Sequence, residues 1–262
     1  MQNPGQYLSQ MRTTAPLVHN ITNFVAMNVM ANVLLAIGAS PAMVHAREEA
    51  AEFAGLAQAL TVNIGTADPD WADAMAEAAA VMAGAGRPWV FDPVGVAATR
   101  FRQDLSRRLI ALRPTVIRGN ASEILTLAGL SGSARGVDAG DSVEAAVEAA
   151  QRLAGETGGV VAVSGPEDYV TDGTRAYRVA NGHPLMARVT VMGCSLNGVI
   201  VAFCVGQPAL EATAAALAAY GLAGEVAARD AQGPGSFQPA FLDALAALTP
   251  EALDAGARIA PA

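Results

Sequence analysis

Short apolar runs alternate with alanine-rich helical patterns along nearly all of the 262 residues. SPAMV (40–44), LTVNIG (60–65), PWVFDPVG (88–95), TVIRGN (115–120) and GVVAVSG (159–165) read as strands, several of them passing directly into a turn or loop. Between them, 24–37, 48–59, 69–84, 101–112, 121–129 and 143–155 read as helices. Glu48 and Glu49 complement one helix dipole, Pro69 opens another helix, and Asp141 or Ser142 caps the last after a Gly/Ser loop at 129–140. Residues 169–179 read as a hairpin turning at Asp172-Gly173, and 194–205, 208–229 and 238–248 as further helices. Runs such as VVAV and WVF are apolar throughout, the pattern of parallel strands buried on both faces. This alternation predicts an α/β fold with a mostly parallel sheet flanked by helices. No linker, charge block or repeat interrupts it, so residues 1–262 are expected to form one domain.

Composition removes several chemistries. All 16 basic residues are arginine, so no Walker A lysine, Schiff-base lysine or Ser-Lys dyad exists. A phosphate must then be held by arginine, backbone amides, a helix terminus or a metal. The net charge of −8 argues against a nucleic-acid footprint. Two cysteines (Cys194, Cys204) and three histidines (His19, His45, His183) lack zinc-site spacing and make no disulfide framework. Residues 13–46 and 189–210 carry no charge, yet Asn20, Asn23, Asn28, Asn32 and Asn197 fit a protein interior better than lipid. The first residues lack the apolar core of a signal peptide. A soluble, cytoplasmic protein is expected, without membrane or nucleic-acid partners.

Ligands of open α/β sheets bind beyond the carboxyl ends of the strands. The chain places Met43, Gly65-Thr66, Asp92, Arg118-Gly119-Asn120 and Ser164-Gly165 there. In VTVMGCSLNG, a small-residue turn at Gly193-Cys194-Ser195 enters a long apolar helix. Its first turn offers free N–H groups and a positive dipole end, which suit an anion and lower the pKa of a thiol. Cys194 is equally a candidate for a structural cysteine of that helix. Asp92 either projects into a cleft or makes an Asx-type turn. Glu123 either forms a capping pair with Ser122 or joins Asp92 as a second carboxylate. Such a pair suits Mg²⁺, which takes few protein ligands and keeps waters. His19 reads as a core histidine, Asn23 as a helix N-cap, and Asn28 and Asn32 as amides on one helix face awaiting partners. Met43 is core filler or a pliable wall of an apolar pocket. The Gly/Pro-rich GPGSFQPAFLDAL (233–245) reads as a tight turn before a packed terminal helix.

Together PLVHNITN, LLAIGASPAMV, FDPVGVAATRFR, IRGNASEI, DYVTDG, MGC before a helix and GPGSFQPAFLDAL resemble the hydroxyethylthiazole kinase family, within the ribokinase-like superfamily. These stretches span nearly the whole chain in order. RGNASEI and ASPAMV are the specific ones, whereas DPVG and a Gly-rich turn are shared more widely. The resemblance implies a three-layer α/β/α ribokinase-like fold and ATP-dependent phosphorylation of 4-methyl-5-(2-hydroxyethyl)thiazole in thiamine salvage. It places Met43, Val191 and Asn23 at the thiazole, and Arg118, Ser164 and Asn23 at the nucleotide. Asp92 and Glu123 fall near Mg²⁺, Gly193 in the catalytic anion turn, and Cys194 where most relatives in the superfamily carry an aspartate base. It further implies a homotrimer with active sites at subunit contacts.

The chain departs from the family pattern at three positions. Val191 replaces the first glycine of the usual Gly-x-Gly-Cys, Asn20 a cysteine, and Ser164 a threonine, none removing a charged group. Three competing functions remain on the sequence. They are a kinase of the pyrimidine half of thiamine, a non-catalytic binding protein of the same fold, and a hydrolase or transferase using Cys194 with His19.

Overall fold

The computed structural model describes residues 1, 3–130 and 143–262. Among these, the strands are β1 (Leu17–Ile21), β2 (Ser40–Ala42), β3 (Ala59–Asn63), β4 (Trp89–Asp92), β5 (Val116–Asn120), β6 (Val160–Ser164), β7 (Asp168–Thr171), β8 (Ala176–Val179) and β9 (Ile259–Pro261). The helices are α1 (Gly5–Thr14), α2 (Met27–Ile37), α3 (Arg47–Leu56), α4 (Pro69–Gly84), α5 (Arg100–Ile110), α6 (Ala121–Leu130), α7 (Val143–Thr157), α8 (Met192–Cys204), α9 (Ala209–Ala228), α10 (Pro234–Ala247) and α11 (Pro250–Gly256). One sheet runs in the order β2-β1-β3-β4-β5-β6-β7-β8-β9. Its strands pair in parallel from β2 through β6, and β7, β8 and β9 continue it antiparallel.

The period-2 pleat sends alternate side chains into two separate cores. Val90 of β4 points into the core built with α1, α2, α8, α9, α10 and α11, whereas Trp89 and Phe91 point into the core built with α3–α7. The result is the expected three-layer α/β/α arrangement. It explains the uncharged stretch at 189–210, whose helix α8 is buried almost all round; in the stretch at 13–46, Phe24, Val25 and Leu35 stay exposed.

Differences from the sequence expectations have local causes. The helix expected over 24–37 begins only at Met27, because Asn23 Oδ1 accepts the Ala26 N–H and holds residues 24–26 as a turn. The helix expected over 48–59 ends at Leu56, since Ala57 is extended and the chain enters β3 at Ala59. The expected tight turn of GPGSFQP is instead the start of α10: Pro234 takes the first helical position, where its missing N–H costs nothing, and Pro239 lies inside the helix. Strands β1 and β9 and helices α1 and α11 have no counterpart in the sequence expectations. In β1 the buried polar pair His19-Asn20 breaks the apolar run that marks its neighbours. The loop 131–140 and the candidate caps Asp141 and Ser142 lie outside the described residues.

Candidate active site

The first turn of α8 is the centre of the site. Val191, its N-cap, adopts φ 76° and ψ −9°, the left-handed region that a β-branched residue rarely enters. Its carbonyl is held by the Ser195 N–H at 2.8 Å and the Ser195 hydroxyl at 3.0 Å, and the Tyr220 hydroxyl donates to Met192 O at 2.9 Å. The helix thus begins at Met192, with Gly193 and Cys194 in its first turn. Strain of this kind costs of order 1–3 kcal/mol. Val191→Gly should therefore leave stability within about 1 kcal/mol of the parent, since relief of strain offsets lost burial and the flexibility of glycine. The same change at Val199, fully buried in the middle of α8, should cost about 3 kcal/mol or more. Thermal melts of the two variants check the contrast.

Gly193 lacks a side chain for a visible reason. A Cβ there would lie 2.7 Å from Arg118 Nη1, so the guanidinium passes flat against the helix tip. Arg118 Nη2 donates to Ser164 Oγ at 2.6 Å, across the paired strand ends of β5 and β6, while its buried Nε has no partner. Arg118, Ser164, Val191 and Gly193 line a cavity of about 810 Å³ together with Asp168 and the segment around His183. Burial raises the Asp168 carboxyl to about 6, against the Gly165 N–H and the Arg118 charge, which both lower it. Met43, half-buried after β2 and packed on the α2 side of the sheet, does not line this cavity.

On the other side of the helix tip lies a network of side-chain amides. Asp92, at the end of β4, is 1% exposed. Its Oδ2 accepts Asn63 Nδ2 at 2.5 Å and Asn197 Nδ2 at 2.7 Å, and its buried Oδ1 has no partner. Burial raises its carboxyl to about 7, with Glu123 adding to the shift and Arg118 opposing it. Asn23 Nδ2 and Asn63 Nδ2 both donate to Cys194 Sγ, at 3.4 and 3.3 Å. Burial and the nearby Asp92 charge push the thiol up to about 11. This corrects the expectation of a lowered thiol pKa at a helix tip: desolvation outweighs the dipole. Cys194 is accordingly a poor base.

The remaining candidates fall as follows. Glu123 forms a capping box, but with Asn120 rather than Ser122. Its Oε2 accepts the Asn120 N–H at 2.9 Å, and Asn120 Oδ1 accepts the Glu123 N–H at 2.9 Å. Glu123 Oε1 also accepts the Gly95 N–H at 3.1 Å, tying the loop after β4 to α6. His19 is fully buried, donates to or accepts from nothing at Cys194, and contacts Val44 O at 2.6 Å and the edge of Phe53. The pairing of Cys194 with His19 is therefore not formed. Asn23 caps the turn before α2 rather than the helix itself. Asn28 and Asn32 are exposed and bond to each other at 3.3 Å, not buried amides awaiting partners. Among the described residues, no group of three or more His, Cys, Asp or Glu side chains gathers as a metal-ligand set.

Three contributors escaped the sequence analysis. Asn63 and Asn197 are the two donors to Asp92. Arg102 donates to Ile64 O, Gly65 O and Val94 O at 2.6–2.9 Å, fastening the loops after β3 and β4 together. Asn63 had a signal: it is the polar residue closing an apolar strand, at the same strand-end level as Asp92.

The family model for the hydroxyethylthiazole kinase family matches residues 8–251. The chain belongs to the hydroxyethylthiazole kinase family. A hydroxyethylthiazole kinase of Cereibacter sphaeroides is 65% identical over 259 residues, 99% of each chain. The solved hydroxyethylthiazole kinase of Pyrococcus horikoshii superposes with a TM-score of 0.92 at 40% identity, covering 99% of this chain and 98% of that one. The pyridoxal kinase of Staphylococcus aureus, in complex with AMP-PCP and pyridoxal, shares the fold alone, with a TM-score of 0.65 at 15% identity over 94% of this chain and 98% of that one.

Proposed function

We propose that this chain transfers the γ-phosphoryl group of ATP to the primary alcohol of 4-methyl-5-(2-hydroxyethyl)thiazole, yielding the thiazole phosphate and ADP in thiamine salvage. The reading is carried by one observation: the tip of α8 meets Arg118 on its cavity side and the Asp92 network on the other. Phosphoryl transfer is mainly positioning and charge neutralisation. The cavity at Arg118 and Ser164 takes the nucleotide. The Gly193 and Cys194 N–H groups and the Arg118 guanidinium offset charge on the transferring group, pre-aligned by the helix.

Asp92 and Glu123 fit Mg²⁺. The buried Oδ1 of Asp92 is an oxygen without a hydrogen-bond partner, the atom that would take a cation, and Glu123, each oxygen already accepting an N–H group, would serve through water. A magnesium ion held there would supply neutralisation of phosphate charge. The alcohol proton has a better acceptor in the carboxylate or the phosphate than in Cys194, whose sulfur already accepts two N–H groups. Asn23 and Met43, on the α2 side, hold the thiazole with the Val191 backbone.

The chain acts as one domain, 1–262, in the cytoplasm; among its described residues no helix is long and apolar enough to cross a membrane. It assembles as a homotrimer. Phe24, Val25 and Leu35 are 64%, 60% and 62% exposed beside Asn28 and Asn32, an apolar face suited to another subunit.

A coupled ADP-release assay with Mg²⁺ should show turnover that requires the thiazole alcohol, and sedimentation should give three times the 26.6 kDa chain mass. ADP release driven by the pyrimidine alcohol instead, or by neither, would remove the assignment.

A further inference from the structure

Two of the amides around Asp92, Asn23 and Asn63, cannot be turned over without breaking main-chain hydrogen bonds. The Gly65 N–H, which can only donate, reaches Asn63 Oδ1 at 2.9 Å, so Asn63 must present its Nδ2 to Asp92 and Cys194. The Ala26 N–H fixes Asn23 in the same way at 3.0 Å, so Asn23 donates to Asn63 Oδ1 at 3.0 Å and to Cys194 Sγ at 3.4 Å. Donation therefore runs one way, from the backbone of two loops through Asn23 and Asn63 into one oxygen of Asp92 and the sulfur. Asn197, from α8, adds a second donor to that same Asp92 oxygen. One carboxylate oxygen is saturated and the other is left bare and buried.

We infer that Asn63 is a positioning residue of the phosphoryl-transfer site, fixing which oxygen of Asp92 is presented and where the Cys194 sulfur sits. This rests on the kinase reading above. Asn63, from β3, and Asn197, from α8, both donate to Oδ2 and neither to Oδ1. Gly65 is part of the device: a Cβ there would lie 2.9 Å from Asn63 Oδ1 and 3.1 Å from Asn23 Cβ, crowding the main-chain donor that sets the polarity.

Asn63→Asp tests this with the smallest change. It keeps the acceptor for the Gly65 and Asn23 N–H groups, removes the nitrogen that donates to both Asp92 and Cys194, and sets a second carboxyl against Asp92. Asn63→Ser is the second variant. Its hydroxyl can still accept the Gly65 N–H across two residues but is too short to bridge to Asp92, so it guards against misfolding of the first. Misplacement of a reacting group by about 1 Å can cost on the order of 100-fold. Both folded variants should lose roughly 30- to 100-fold in kcat, with KM for ATP and for the thiazole alcohol within about threefold. Crystal structures of either should show the Asp92 carboxylate rotated. A kcat within threefold of the parent, or a loss confined to KM, overturns the inference. Should the parent itself release no ADP with the thiazole alcohol, the kinase reading fails separately. The crystal structures then decide: a rotated Asp92 upholds the positioning role and an unmoved one removes it.

Discussion

Asp92→Ala is expected to lower kcat about 1000-fold, equivalent to about 4 kcal/mol of barrier. Glu123 is held in place by the N–H groups of Gly95 and Asn120 and does not swing in to replace it. The loss should come from the reaction and not from collapse of the fold. Removing Asp92 strands the Asn63 and Asn197 donors, at about 1–3 kcal/mol for such groups, but it also removes a carboxylate that burial disfavours. Steady-state kinetics at saturating substrates, with a melting curve on the same sample, separate the two. Cys194→Asp is the companion. The Asn23 and Asn63 N–H groups that point at Sγ can serve a carboxylate, so turnover should stay within about tenfold of the parent or exceed it, short of the roughly 100-fold that loss of a general base costs at least. An inactive but folded Cys194→Asp would make the thiol itself indispensable.

Gly193→Ala should separate stability from activity. Alanine is favoured over glycine in a helix by up to about 1 kcal/mol, and the atom it meets is the mobile end of Arg118. The protein should therefore melt no lower than its parent. The guanidinium, however, must leave the helix tip or its Ser164 contact. Loss of one pre-aligned electrostatic donor typically lowers kcat by about 100- to 1000-fold, and a fall of about 100-fold is expected here. A stable variant with unimpaired kcat would show that Arg118 need not lie against α8 during turnover.

Much of this was legible in the sequence because strand ends concentrate chemistry. Asp92, Arg118, Ser164 and Gly193 stand where an apolar run stops in the sequence; Asp92 and Ser164 close β4 and β6, Arg118 lies midway along β5, and Gly193 stands in the first turn of α8 with no strand before it. Val191 was legible as an anomaly, a β-branched residue in a glycine position, and its left-handed backbone follows directly. What could not be read was direction and depth. The helix tip suggested an acidified Cys194, but the sulfur is buried beside a carboxylate, and that outweighs the dipole. Nothing in IRGNASEI distinguishes Ser122 from Asn120 as the partner of Glu123, because the choice depends on where β5 ends and α6 begins. Asn63 and Asn197 carried the weakest signal. One closes a strand and the other sits inside an apolar helix, and their common target becomes visible only when β3, β4 and α8 converge.

Val191 and Gly193 border the cavity, yet the next residue, Cys194, belongs to the amide network and not to the cavity wall. A single turn of helix thus has the cavity wall on one residue and a buried amide network on the next. Displacing the turn from the cavity side displaces the Cys194 sulfur with it, and where binding free energies are coupled the effect is reciprocal. Affinity for each co-substrate should therefore be measured with the other absent and present.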